Sequence, residues 1–205
     1  MGNIITPGQG VLYMKVGTHA QESLEDIIKR KTQEIEQTGY GLWGYGGSTC
    51  HPQTMVQPFA KGYARQGGRI YLAMEPMESK HFAEPIRADE LSIDGLHWVA
   101  IPKVINVRGS RYALVIKDLR REEFKLPLDR TAVALGNSLG VPGGKYISGR
   151  VDKACLTISD NDDHRGPART VQIGLIAEIV EPYAVFVRNR IPSSQGPAEP
   201  VDAGS

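Results

Sequence analysis

Cys50 and His51 stand side by side behind Ser48 and Thr49, a run of four small or titratable polar residues. A thiol and an imidazole are the parts of a cysteine nucleophile, because a base within reach of sulfur lowers its pKa and exposes the thiolate. Neighbours in sequence rarely reach each other with that geometry, so a base for Cys50 would come from His81, His97 or His164. No nucleophile signature surrounds Cys50. A zinc site built from Cys50, His51, Cys155 and a further histidine lacks any Cys-x-x-Cys or His-x-x-x-His pair. The stronger expectation is a structural thiol beside a binding loop, and no metal or cofactor is assigned.

That polar run closes the stretch Gly39–Pro52, which holds five glycines together with Tyr40, Trp43 and Tyr45. Two readings compete. In the first, the three aromatics stack on a flat ligand, an interaction of ~1–3 kcal/mol per base, while Ser48, Thr49 and His51 meet its polar edges. In the second, Leu42 and Trp43 pack into the core and the glycines only permit the bends. The polar run favours the pocket. The letters Gly39-Tyr40-Gly41-Leu42-Trp43-Gly44 match Gly-x-Gly-x-x-Gly, but they follow a helical pattern instead of opening one, so no pyrophosphate site is expected. Gly143-Gly144-Lys145-Tyr146 lacks the first glycine and the hydroxyl of a phosphate loop.

Charge is unevenly placed. From Lys103 to Lys153 there are 11 Lys and Arg against 5 Asp and Glu, while Glu22–Asp94 carries 8 against 11. Over 117–125 the carboxylates of Asp118, Glu122 and Glu123 are set to neutralise Lys117, Arg120 and Arg121. Lys145 and Arg150, beside the glycine-rich Gly136–Gly144 loop, are less matched and are expected to contact phosphate. These residues define the expected function: a binding domain for a small planar anionic ligand, a nucleotide or a nucleobase within nucleic acid, the latter drawn by the basic 103–153 segment. The alternatives are a cysteine-dependent hydrolase or transferase using Cys50, and an interaction module whose aromatic loop meets another protein.

The elements that must position these groups follow from periodicity. Val11–Val16 alternates as a strand. A helix then runs to about Gln37, with Leu24, Ile27, Ile28 and Ile35 on one face. Its start lies at Thr18–Gln21 or Ser23–Asp26. Glu25–Lys29 and Asp26–Arg30 form favourable pairs on its wet side, and Gly39 stops it. Thr54–Gln66 is a short helix that Pro58 interrupts, Arg69–Met74 a strand and Glu78–Ala83 a helical turn. Leu96–Ile101 is a strand, and Val104–Val107 pairs with Arg111–Leu119 as a hairpin. Thr131–Leu135, Lys145–Ile158 and Val171–Val187 are strands, the last broken near Pro182, and Asp160–His164 is a solvated hairpin tip. Helices early and strands late predict an α+β fold: an N-terminal strand and amphipathic helices packed on a mostly antiparallel sheet or small β-barrel formed by the second half.

The chain has 205 residues and a net charge of +1, which suits a single domain over 11–190 with a weak internal boundary near 95. Residues 1–10 read as a flexible arm, and 191–205, rich in Pro, Ser, Gly and Ala, as a disordered tail. Two cysteines and the lack of a signal-like N-terminus predict a cytoplasmic protein without a membrane span. Met1–Thr6 matches the loose myristoylation pattern, which is common by chance.

Overall fold

The computed structural model describes residues 5–17, 22–47, 51–78, 86–148, 151–159 and 166–190. In chain order they form β1 (Gly10–Val16), α1 (Leu24–Thr38), β2 (Gly41–Gly44), α2 (Gln53–Arg65), β3 (Ile70–Pro76), β4 (Glu90–Ser92), β5 (Val99–Ala100), β6 (Tyr112–Pro127), β7 (Thr131–Val133), α3 (Gly143–Tyr146), β8 (Lys153–Ile158) and β9 (Thr170–Arg188). The strands make one nine-stranded sheet in the order β2-β6-β9-β3-β1-β8-β7, with β4 and β5 attached beyond β9. Only β1 and β3 run parallel; the other pairings among the described residues are antiparallel. The fold is α+β, and the sheet is open, not a closed barrel. It also draws β1, β2 and β3 from the first half of the chain, and it spans position 95.

α1 begins at Ser23, whose hydroxyl accepts from the Asp26 N–H, and ends at Gly39, which takes φ 83° and donates its N–H to the Ile35 carbonyl. Both ends follow from residue type: a short hydroxyl satisfies an orphan N–H, and a residue without Cβ takes the left-handed turn freely. The alternative start at Thr18–Gln21 lies outside the described residues. The expected Asp26–Arg30 pair is replaced by Arg30 bonding to Glu22 at 2.7 Å and to Glu34 at 3.1 Å, while Glu25 meets Arg121 of β6. α2 runs straight through Pro58. The carbonyl that Pro58 cannot bond belongs to Thr54, and both residues are solvent-exposed, so water can take the missing donor's place.

Both helices cover one face of the sheet. Ile27 of α1, Val56 and Ala60 of α2, and Leu12, Leu72, Leu114 and Leu175 of the strands form the main core there. The opposite face is shared. Val11, Tyr13, Ile173 and Leu156 pack with Leu128 and Ile147 from the 128–147 segment. Leu42, Val115 and Val185 pack with Ala88, Ile101, Ile105 and Val107 from the 86–107 segment. β6 and β9 are long ribbons whose pairing slips in register at three places. Such slips bend and twist a strand pair, and this one lets the two ends of the sheet approach across the helical core: the Tyr45 hydroxyl, just past β2, donates to the carbonyls of Tyr13 and Ala154 on β1 and β8 at 3.0 and 3.2 Å.

Several expected elements differ. Gly41–Gly44 is a strand and not loop. Of Leu96–Ile101 only Val99–Ala100 is strand, because Asp94 Oδ1 accepts the N–H groups of Leu96 and His97, both at 2.8 Å, and closes a turn. Val104–Val107 is not a strand but a buried covering segment. Tyr146 ends a helical turn, so that strand begins only at Lys153. The break expected near Pro182 is not a break in the strand, because β9 runs on to Arg188; its pairing with β6 skips from Ile179 to Ala184 there. The residues 79–83, the 160–164 tip, the arm up to Ile4 and the 191–205 tail lie outside the described residues.

Candidate functional site

β2 splits the aromatic loop between two faces. Side chains alternate along a strand, so Tyr40 and Leu42 turn to the core under the 86–107 segment, while Trp43 and Tyr45 turn to the helical core. Trp43 is 5% exposed and its indole N–H lies 3.3 Å from the Met14 sulfur; Tyr45 is fully buried. Tyr40 is half-buried, and burial raises its pKa. The three aromatics therefore do not share one open wall, and the packing alternative for Leu42 and Trp43 matches their burial. The glycines serve close approach: a Cβ on Gly46 would lie 2.5 Å from the Tyr112 ring and 2.7 Å from its backbone nitrogen. That fit brings the Gly46 and Tyr45 N–H groups to the Tyr112 carbonyl, both at 3.1 Å.

The end of the same stretch does meet the other glycine-rich segment. His51 lies just before α2, is 7% exposed, and its carbonyl accepts from the Tyr112 hydroxyl at 2.5 Å. Its imidazole lies parallel to the Tyr146 ring of α3, with centroids 6.1 Å apart and planes at 3°. A Cβ placed on Gly136 would stand 3.5 Å from His51 Nδ1 and 3.9 Å from the Met55 sulfur, so the turn after β7 borders the imidazole from a third side. His51 Nε2 is buried and makes no hydrogen bond among the described residues. An unpaired buried polar atom costs ~1–3 kcal/mol, and burial alone pulls the imidazole pKa below its ordinary value. Lys145, on the same short helix as Tyr146, is exposed. The notch between α2, α3 and the 136–140 turn thus unites His51 with Tyr146, and the sequence reading had not singled out Tyr146 as a wall.

The other expected residues stand apart from it or outside view. Ser48, Thr49, Cys50, His81, Arg150 and His164 lie outside the described residues. His97 sits at the β4–β5 turn with its side chain 88% exposed, and its Nδ1 is 2.6 Å from Asp94 Oδ2. That contact raises the His97 pKa and holds the Asp94 carboxyl far below its usual range. Cys155 is wholly buried on β8, in keeping with an inert thiol. Four of the eleven basic residues of the 103–153 segment meet carboxylates: Lys117 with Glu178 at 3.7 Å, Arg120 with Asp118 and Glu122, Arg121 with Glu25, and Lys153 with Asp152 at 3.4 Å.

A second polar cluster is structural. Lys31 and Glu34 of α1 are buried, and the Lys31 ammonium donates to Glu34 Oε2 at 2.8 Å and to the carbonyls of Leu42 and Asn106, both at 2.6 Å. Glu34 also accepts the Asn106 N–H at 2.9 Å. Burial pulls the Lys31 pKa down to about 8 against the support of Glu34. All three ammonium protons are used, so the cluster clamps the 104–107 segment and β2 to the helix instead of offering a reactive amine.

Among the described residues no group of three or more His, Cys, Asp or Glu could hold a metal, and no helix is long and apolar enough to cross a membrane. No protein-family model matches the chain, and no significant match is found among curated proteins or solved structures, so the functional reading rests on the geometry of this site.

Proposed function

We propose that this chain is a binding domain for a small planar anionic ligand of the nucleotide class, and that the notch at His51 and Tyr146 is where it binds. The observation that carries the reading is the buried His51 ring, parallel to Tyr146 and with Nε2 unsatisfied, at the junction of the two glycine-rich segments. Buried polar atoms in folded proteins nearly always have partners, and an orphan calls for an explanation; a ligand edge supplies one. The Tyr146 ring supplies a stacking face, and exposed Lys145 a cation beside it. The pairing of Lys117, Arg120, Arg121 and Lys153 with carboxylates takes four of the eleven cations of 103–153 out of the basic track that a nucleic-acid strand needs, which favours the small ligand.

The test is calorimetric titration with AMP, GMP, CMP and UMP, together with mass spectrometry of small molecules released from the native protein. Tyr146→Ala should weaken nucleotide binding roughly 5- to 150-fold, the loss of one base stack. Absence of any bound or released nucleotide, or a Tyr146→Ala variant that binds as wild type, overturns the reading.

A further inference from the structure

The notch sets a problem that its own residues can solve in one way. An anion moved out of water is costly unless a positive charge or several donors meet it. Lys145 is exposed, where a single ion pair contributes little. Among the described residues, the four elements around the His51 ring bring no carboxylate to it. α3 presents the Tyr146 ring, and Lys145 is exposed on the same short helix. α2 presents Met55 and Gln53, whose amide is already spent on the Ala184 carbonyl at 2.8 Å. The turn after β7 presents the Gly136 backbone, and β6 the Tyr112 hydroxyl, which is given to the His51 carbonyl. His51 is the one titratable side chain among the described residues of the notch that is buried there and whose ordinary pKa lies near neutrality. We infer that an anionic ligand enters this notch together with one proton, which His51 takes up at the ring so that the imidazolium becomes the ligand's buried counter-charge.

The inference rests on the ligand reading above and deepens it. In the free protein the ring sits among a tyrosine face, a thioether and a glycine backbone, and neutral imidazole is the form that suits those surroundings. An anion beside Nε2 reverses the preference, since an opposite charge at contact favours the charged form. The orphan nitrogen becomes a donor, and its hydrogen bond, now charge-assisted at both ends, is of the strong kind. The sign follows: the bound state holds more protons than the free state, so affinity rises as pH falls from about 8 to about 6, by up to roughly tenfold per unit. Proton concentration then gates the site.

The experiment must keep the ligand's own titration out of view. A phosphate monoester titrates near pH ~6, so the probes are 3′,5′-cyclic AMP and 3′,5′-cyclic UMP, phosphodiesters whose charge is constant across this range. Calorimetry at pH ~6.5 in two buffers of different ionisation enthalpy counts the protons taken up per ligand. The expected result is uptake approaching one proton in the wild type and none in His51→Gln, with the wild-type Kd rising toward pH ~8 and the variant Kd flat. Binding of either probe without proton uptake, or equal uptake in His51→Gln, overturns the inference and leaves the ligand reading standing. Failure of both probes to bind across the whole range overturns the inference, and failure of the four mononucleotides as well overturns the ligand reading.

Discussion

Trp43 separates a stacking residue from a packing residue, and the structure makes the distinction quantitative. Its indole is 5% exposed within the core formed by α1, α2 and the strands, with the N–H directed at the Met14 sulfur. Replacement by Ala removes most of a large buried side chain and leaves a cavity, a change that costs ~3–5 kcal/mol. In a domain of this size 1 kcal/mol moves the melting midpoint by ~2–4 °C, so Trp43→Ala should lower Tm by roughly 6–20 °C. Trp43→Phe keeps a ring and should lose distinctly less. Differential scanning calorimetry measures both, and nucleotide titration well below the lowered midpoint tests binding on the same preparations. Binding should persist in the folded fraction, because Trp43 faces the helical core. The reasoning fails if Trp43→Ala melts within ~2 °C of wild type, or if it abolishes nucleotide binding at unchanged Tm.

Two further outcomes follow from the buried charges. Glu34→Ala strands the Lys31 ammonium and the Asn106 N–H and should cost ~3–5 kcal/mol in urea unfolding, whereas Lys31→Met should cost less, because Arg30 still meets Glu34 at 3.1 Å; equal or reversed costs would refute the clamp. His51, whose pKa burial lowers from 6.5, gives a signed pH dependence: the unfolded chain takes a proton at His51 as pH falls through about 6.5 while the folded chain resists it, so stability at this site is complete above that value and declines below it. His97, raised by Asp94, acts in the opposite sense, so the comparison is wild type against His51→Phe. The variant should gain relative stability at pH ~5.5 compared with pH ~8, and a difference independent of pH would contradict a neutral buried imidazole.

The features legible in the sequence were those written in adjacent residues. Apolar residues at helical spacing and Gly39 placed the end of α1 within a residue, and Ser23 followed by Asp26 was one of two starts the pattern offered and is the one that caps the helix, because caps and periodicity are local chemistry. β2 was hidden by its own composition: glycine weakens a strand signal, so Gly41 and Gly44 read as loop, and the alternation that divides Tyr40 and Leu42 from Trp43 and Tyr45 went unused. The reason for Gly46 lies at Tyr112, which no local pattern reveals. Asp94 cut short the expected strand at Leu96–Ile101 by side-chain bonds to the backbone that compete with ladder pairing, a signal that a serine, an aspartate and a glycine at 92, 94 and 95 did carry.

Residue type also misleads where burial decides the role. Lys31 and Glu34 are spaced as a solvated helical pair, three residues apart, yet Lys31 reaches the carbonyls of Leu42 and Asn106 and Glu34 the Asn106 N–H, and the same two side chains become a tie between three elements. Trp43 moves the other way: an aromatic among glycines suggests a ligand face, but a four-residue strand turns it inward. His51 combines both lessons. Its place beside Cys50 marked it as chemical, while its value as a site comes from Tyr146, 95 positions later in the chain, and from a glycine turn that borders the imidazole. Spacing along the chain cannot give that juxtaposition. It arises because α2 starts where β7 ends, and α3 folds back under the same edge, so a ring with an unsatisfied nitrogen is left where three elements converge.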